Sequence, residues 1–372
     1  MNKENKDIWL PHYTLNNIIV RALMKIEEAK TAIGAIHLPA SIESSLRQRA
    51  KMASTHYSTR IEGNRLTLKE AEDVLKGGAG PKGKTRDVGE VRNYWEALAR
   101  IEEWADKGIP FTEDLVKRTH GIVMKGKRGG LSPYREGQNV IRDSVSGQII
   151  YLPPEAKDVP LLMKGLIGWM RNAIGDKMPA PIIAALFHYQ FVTVHPYYDG
   201  NGRTARLLSY FLLLREGYAG SGLFSLEELH FKSIERYYAS LAVHPHHNYY
   251  EGREKADLTG WIEYYTEILA EAFNSLKKIA LDAFKKPALK SPAGIERLDP
   301  RKKAVLSLFA KKDHITSSES ALILGLSQRM MRVLLIRWVK EGFLRITDPA
   351  NRSRAYTLAP KYKKYLLPPG KI

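Results

Sequence analysis

The chain has 372 residues, enough for two or three domains and for a core that needs no covalent staples. Its lack of cysteine excludes a disulfide scaffold and any thiolate zinc site. The formal charge of +18 is unevenly placed: residues 295–372 hold 17 Lys and Arg against 6 Asp and Glu, a basic tail that suits a polyanionic partner.

At the N-terminus, MNKENKDIWLPHY has no apolar run of signal-peptide length, and no later stretch approaches the ~20 apolar residues of a membrane span. A cytoplasmic protein without a membrane partner is expected. Apolar positions at helical spacing predict helices over 14–34, 41–62, 67–76, 88–106, 112–124, 156–174 and 180–194, with two more over 201–216 and 257–285. Between them, QNVIRDSVSGQIIYLPP reads as a lone β-hairpin over 139–152. An isolated hairpin is marginal by itself, so it is expected to lie against the helical body.

The run KKPALKSPAG combines prolines and a glycine with basic residues and marks a linker. Beyond it come RKKAVLSLFAKK, SSESALILG, LSQRMMRVLLIRWVKEG and then FLRITDPANRSRAYTLAP, three helices followed by a hairpin, the order of a winged helix-turn-helix. Ser327 is suited to cap the recognition helix, which carries Arg329 and Arg332, and the wing tip would bring Arg352 and Arg354 to phosphates. DNA is therefore a candidate partner, with protein docking as the alternative use of such a module. His244, His246 and His247 lie close in sequence without a supporting metal spacing and are assigned to a surface loop.

The chemistry concentrates in TVHPYYDGNGRTARLL, residues 193–208. Gly200 and Gly202 allow close backbone approach, and the helix that follows offers unpaired N–H groups and the positive end of its dipole, an anion site. Arg203 and Arg206, three apart on that helix, suit a polyphosphate. Asp199 supplies a carboxylate for Mg²⁺, and His195 is the side chain fitted to accept a proton near neutral pH. A calcium loop is excluded because Tyr197 and Leu208 fall where its first acid and closing Glu belong. A P-loop is excluded because the Lys-Ser/Thr pair is missing. Base, metal carboxylate and phosphate cradle together describe group transfer from a nucleotide to a hydroxyl.

His195-Pro196-Tyr197-Tyr198-Asp199-Gly200-Asn201-Gly202-Arg203-Thr204-Ala205-Arg206 resembles the Fic signature HPFx(D/E)GNGRxxR, with Tyr197 in place of the usual Phe. The likeness extends in element order over roughly residues 90–275. It implies a mainly α fold, a Fic-type helical bundle bordered by a β-hairpin flap that pairs with the target's backbone, and AMP transfer from ATP to a Tyr, Thr or Ser hydroxyl of a target protein. By that resemblance His195 is the base, Asp199 the Mg²⁺ ligand, and Asn201 with the Gly200 and Gly202 amides the α-phosphate site. Arg203 then steadies the α/β region and Arg206 binds the γ-phosphate. Tyr237 and Tyr238 in ERYYASL stand where the family offers a tyrosine to adenine, while His244 departs from an asparagine found in some relatives.

Upstream, Ser58-Thr59-Arg60-Ile61-Glu62-Gly63 resembles the family's inhibitory helix, (S/T)xxxE(G/N). Gly63 reads as a helix-ending residue, and Thr67 with Glu70 as a capping box for the next helix. Glu62 thus lies in a last helical turn, where a carboxylate opposes the dipole and is better explained by a compensating cation. The resemblance names that cation as Arg206. The expected organisation is an N-terminal helical region with the brake over 1–88, a catalytic core over 89–286, a linker over 287–298 and a winged helix over 299–372. An autoinhibited, self-modifying adenylyltransferase is the leading reading, and a homodimer is compatible with it. The alternatives are a DNA-binding regulator with a nucleotide-sensing domain, and an enzyme that uses another nucleotide or removes AMP.

Overall fold

The computed structural model describes residues 9–36, 38, 40–142, 146–218, 220–285, 298–309, 312–324, 326–348 and 354–363. The chain is mainly helical, with few and short strands. At its centre lies a helix at Ala180–Val194, whose residues APIIAALFHYQFVTV are nearly all buried. A helix apolar on every side can only be covered on every side. It is packed against helices at Val159–Gly175, Asn201–Arg215 and Thr259–Lys285, and those at Thr85–Asp106 and Glu113–Lys125 pack on the Asn201–Arg215 helix. In chain order the helices are α1 (Asn17–Ala35), α2 (Ala40–Ile61), α3 (Leu68–Leu75), α4 (Thr85–Asp106), α5 (Glu113–Lys125), α6 (Val159–Gly175), α7 (Ala180–Val194) and α8 (Asn201–Arg215). They continue as α9 (Leu226–Lys232), α10 (Ile234–Leu241), α11 (Thr259–Lys285), α12 (Pro300–Phe309), α13 (Ser317–Leu324) and α14 (Gln328–Lys340).

Capping chemistry sets several boundaries. Asn16 accepts from the Ile18 and Ile19 amides, which starts α1 three residues later than periodicity suggests. Thr67 and Glu70 form a reciprocal capping box at α3. Residues 156–158 form a short 3₁₀ turn, and α6 begins at Val159 with a proline in its first turn, where the missing N–H has no helical partner to lose. The short helix α9 was not anticipated; Ser225 caps it at the Glu228 amide.

The hairpin is shorter than expected. Strands β1 (Ile141–Arg142) and β2 (Ile149–Tyr151) pair antiparallel with Ile141 opposite Tyr151, and residues 143–145 at its tip lie outside the described residues. Tyr151 pins it to the body by donating from its hydroxyl to the Thr193 carbonyl, 2.7 Å away, at the end of α7.

Most of the expected linker lies outside the described residues. Helices α12, α13 and α14 share a second core with β3 (Ile315–Thr316), β4 (Leu344–Asp348) and β5 (Ala355–Leu358), centred on Trp338, Met331, Leu335, Phe343 and Tyr356. The strands form an antiparallel sheet of order β3-β5-β4. Strand β3 escapes sequence reading because two residues carry no alternation. Both α12 and α13 pack on α2, which also packs on α4 and α9. Among the described residues no helix is long and apolar enough to cross a membrane.

Candidate active site

The site forms where α7 ends and α8 begins. His195 terminates α7 in the left-handed region, at φ 51° and ψ 59°, a conformation uncommon for a residue with a side chain. Its Nδ1 lies 3.2 Å from the Val192 carbonyl. A carbonyl only accepts, so Nδ1 carries the hydrogen and Nε2 keeps its lone pair. Burial drives the imidazole down to about 4, against the Val192 bond, Glu62 and Asp199, which raise it; Arg135 lowers it further. The ring is therefore neutral at pH 7.

The loop that follows is clamped by its own residues. Asn201 accepts from the Tyr197 amide at 3.0 Å and donates to the Tyr197 carbonyl at 2.7 Å. With both ends of the amide on Tyr197 and the residue buried, the Asn201 side chain closes the loop. What remains for an anion is backbone. The amides of Asn201, Gly202 and Arg203 open α8 and have no intrahelical partner. Gly200, at φ 77°, turns the chain into the helix, and its own amide donates to Asp199 Oδ1 at 2.6 Å.

Behind this loop, His120 on α5 donates from Nε2 to the Asp199 carbonyl at 2.9 Å and stacks on Tyr197 with ring centroids 3.5 Å apart. Burial lowers the His120 imidazole to about 4, so it too is neutral. Tyr197 is buried, and its hydroxyl has no hydrogen-bond partner among the described residues.

Asp199 is the carboxylate of the site. Its Oδ1 also accepts from Arg203 Nη2 at 2.9 Å, and its Oδ2 lies 3.5 Å from Arg86 Nη2. Arg86 is 79% exposed and is held more closely by Glu90 Oε1, 3.0 Å from its Nε, so its contact with Asp199 Oδ2 is the looser of the two. Among the described residues no three His, Cys, Asp or Glu side chains converge on a metal site. A single carboxylate fits a Mg²⁺ that takes its remaining ligands from phosphate oxygens and water. Arg203 is buried and is also approached by Glu90 Oε1 at 3.7 Å.

Arg206 is the second arginine of the helix, and its side chain is 2% exposed. Its Nε donates to Ser58 Oγ at 2.8 Å, and its Nη2 donates to the Ser58 carbonyl and to Glu62 Oε1, each at 2.9 Å. Burial works against the guanidinium charge, but Glu62 outweighs it and holds the pKa above its ordinary value. Glu62 stands where α2 ends, beside Gly63 at φ 88°, and its carboxylate lies over the start of α8. A Cβ on Gly202 would come within 2.2 Å of Glu62 Oε1, so a side chain there would have to displace the end of the Glu62 side chain.

Tyr237 and Tyr238 separate. Tyr237 is buried in a cluster with His188, His230 and Trp261, its hydroxyl 3.0 Å from His188 Nε2, so it packs the core and offers no face to a base. Tyr238 is half exposed and donates to the Ile61 carbonyl at 3.2 Å, next to Glu62. On α14, Arg329 and Arg332 are exposed; Arg354 is partly buried at the start of β5, and Arg352 lies outside the described residues. Sequence reading missed Arg86, Glu90, His120 and Arg135. Arg86 and Glu90 stand four apart in the first turns of α4, the spacing of a helical ion pair, but nothing in sequence ties that pair to Asp199.

Residues 110–213 match the family model described as Fic/DOC family. The protein adenylyltransferase Fic of Drosophila virilis is 30% identical over 199 residues, 53% of this chain and 40% of that protein. The chain thus spans about two fifths of the length of the curated relative it matches. A Fic family protein from Desulfovibrio desulfuricans superposes with a TM-score of 0.59 at 24% identity, over 95% of this chain and 99% of the other. A Fic-domain signalling protein from Bacteroides thetaiotaomicron gives 0.60 at 20% identity, over 70% and 97%. At these identities the likeness establishes a shared fold. The family match lies over the site just described, so the Fic/DOC domain is assigned to residues 110–213.

Proposed function

We propose that this protein is an autoinhibited adenylyltransferase that moves AMP from ATP to a hydroxyl of a target protein, itself included. One observation carries the reading: Glu62 Oε1 sits 2.9 Å from Arg206 Nη2, on the arginine that the helix-start anion site would use for the far end of a triphosphate. A carboxylate there stands in for a phosphate oxygen. The likeness to the protein adenylyltransferase Fic of Drosophila virilis supports the same activity.

In the reaction the target oxygen attacks the α-phosphorus, the bond from that phosphorus to the α,β-bridging oxygen breaks, and pyrophosphate leaves. The hydroxyl proton goes to His195 Nε2, which holds a lone pair because Nδ1 is engaged by Val192. A triphosphate beside the ring raises its pKa from about 4 toward neutrality, where a base works best. The free amides at the start of α8 hold the α-phosphate, Arg203 steadies the α/β region, and Arg206 takes the γ-phosphate once Glu62 withdraws. Asp199 would hold Mg²⁺, which supplies charge neutralisation on the phosphates. The exposed Ile149 and Ile150 on β2 suit a target strand added to the hairpin.

In this division of labour residues 1–88 carry the brake, 89–286 the transfer chemistry, and 299–372 form a winged helix. The excess of Lys and Arg over 295–372 and the exposure of Arg329 and Arg332 on α14 favour DNA as its ligand. The test of transfer is incubation of the Glu62→Gly protein with a cell lysate, Mg²⁺ and ATP labelled at the α- or the γ-phosphate. Protein-bound label from the α-position alone supports AMP transfer. Label from the γ-position, or none from either, overturns it.

A further inference from the structure

Arg135, in PYREG before the hairpin, is 3% exposed, yet among the described residues no carboxylate lies within salt-bridge distance of it. A buried guanidinium without a counter-ion is costly to the fold unless its donors are satisfied. Here they are satisfied by carbonyls. Nε donates to His195 O at 2.9 Å, Nη1 to Gly137 O at 3.0 Å, and Nη2 to Pro154 O. Gly137 precedes β1 and Pro154 follows β2, so one planar fork joins both stems of the hairpin to the carbonyl of the catalytic histidine.

The connection is reinforced around it. The Arg135 amide donates to Pro196 O at 2.9 Å, and the Gly137 amide donates to the Tyr198 hydroxyl at 2.8 Å. Asn139 Nδ2 reaches Tyr197 O at 3.3 Å, and Gln138 Nε2 holds Pro153 O at 2.9 Å. The left-handed turn at His195 is thus fixed from the hairpin side through its carbonyl and from its own helix through Nδ1. We infer that Arg135 is a positioning residue that sets the His195 ring against the docked target hydroxyl, linking the strand that receives the target to the base that deprotonates it. The inference rests on the transfer reaction proposed above.

Three consequences separate this role from simple support of the fold. A lysine cannot reproduce three donors in one plane, so Arg135→Lys loses the positioning while keeping a cation. Glutamine loses both. The charged groups facing His195 are Glu62 from the end of α2 and Asp199 from its own loop, which raise its pKa, and Arg135, which lowers it. Removing the Arg135 charge therefore raises the pKa.

The experiment uses the full chain in the Glu62→Gly background, with Arg135→Lys and Arg135→Gln added separately. AMP transfer, binding of a non-hydrolysable ATP analogue, and the His195 ring titration by NMR are measured on each. Both variants are expected to transfer at least about 100-fold more slowly with analogue affinity within about 2-fold. His195 should titrate about 0.5 to 1 pH unit higher in Arg135→Gln and stay near the parent in Arg135→Lys. Transfer within about 3-fold of the parent, or an unmoved titration in folded Arg135→Gln, overturns the inference. Loss of transfer and analogue binding together, in proportion to thermal stability, overturns it in favour of a purely structural role. A Glu62→Gly parent that transfers no AMP counts against the proposed function. The His195 titration and the analogue affinity still decide the role of Arg135 in that case.

Discussion

Replacing Glu62 with glycine removes one charge-assisted hydrogen bond from Arg206, at 2.9 Å, and leaves its two bonds to Ser58. A bond to a charged group is worth about 1.5–3 kcal/mol. The helix end regains only a few tenths to about 1 kcal/mol from losing an unfavourable carboxylate. The nucleotide-free variant should therefore be less stable by about 1–2 kcal/mol, more than a solvated helix-end glutamate would give, because Arg206 is fully buried. For ATP the sign reverses, since its γ-phosphate no longer has to displace Glu62. Relief of about 1.5–3 kcal/mol corresponds to roughly 10- to 150-fold tighter binding. The assays are calorimetric ATP affinity with Mg²⁺, thermal midpoints with and without ATP, and the initial rate of AMP transfer. Adding Arg206→Ala to Glu62→Gly should abolish the gain in affinity. Equal ATP affinity in wild type and Glu62→Gly, with no change in the nucleotide-free midpoint, would refute the reasoning.

Tyr197→Phe removes a buried hydroxyl without a partner and should raise stability by about 1 kcal/mol with transfer preserved; a loss of stability in urea titration would show a hidden partner. Burial holds His120 and His195 near 4, His230 near 3 and His188 well below its ordinary value, so unfolding takes up protons below pH ~6.5. Stability should be constant above that pH and fall toward pH 4, by about 1.4 kcal/mol per pH unit for each proton taken up; an unchanged urea midpoint between pH 7 and pH 5 contradicts this. Arg329→Ala with Arg332→Ala should weaken DNA binding and reduce the slope of log affinity against log salt by up to about 2, measured on the full chain. An unaltered slope removes that helix from the contact.

Periodic patterns made the long helices legible, because α4, α5, α6 and α11 each bury one stripe of a 3.6-residue repeat. Helix α7 was legible for another reason: fifteen residues without a charge can only be interior. The glycine after Glu62 and the capping box at Thr67 likewise announced where α2 stops and α3 starts. Long-range side-chain bonds were not legible. The link from Arg135 to His195 spans sixty residues and that from Arg206 to Glu62 spans 144, and no local pattern encodes either. Resemblance supplied the second, whereas the first had no motif to carry it. Tyr237 and Tyr238 are adjacent on one helix and so point to different sides, and only the fold decides that Tyr237 enters the core while Tyr238 stays at the surface beside Glu62. The bonds from the Asn201 side chain to the backbone of its own loop were not legible either.

The central claim is that the site carries AMP from ATP to a protein hydroxyl once Glu62 is lifted from Arg206. Intact-mass measurement of the purified full chain after incubation with ATP and Mg²⁺ tests it most directly, comparing wild type, Glu62→Gly, and Glu62→Gly with His195→Ala. The account predicts an added AMP in Glu62→Gly, little in wild type and none when His195 is replaced. Equal adduct in wild type and Glu62→Gly would contradict the brake, and an adduct that survives the loss of His195 would contradict the assigned base.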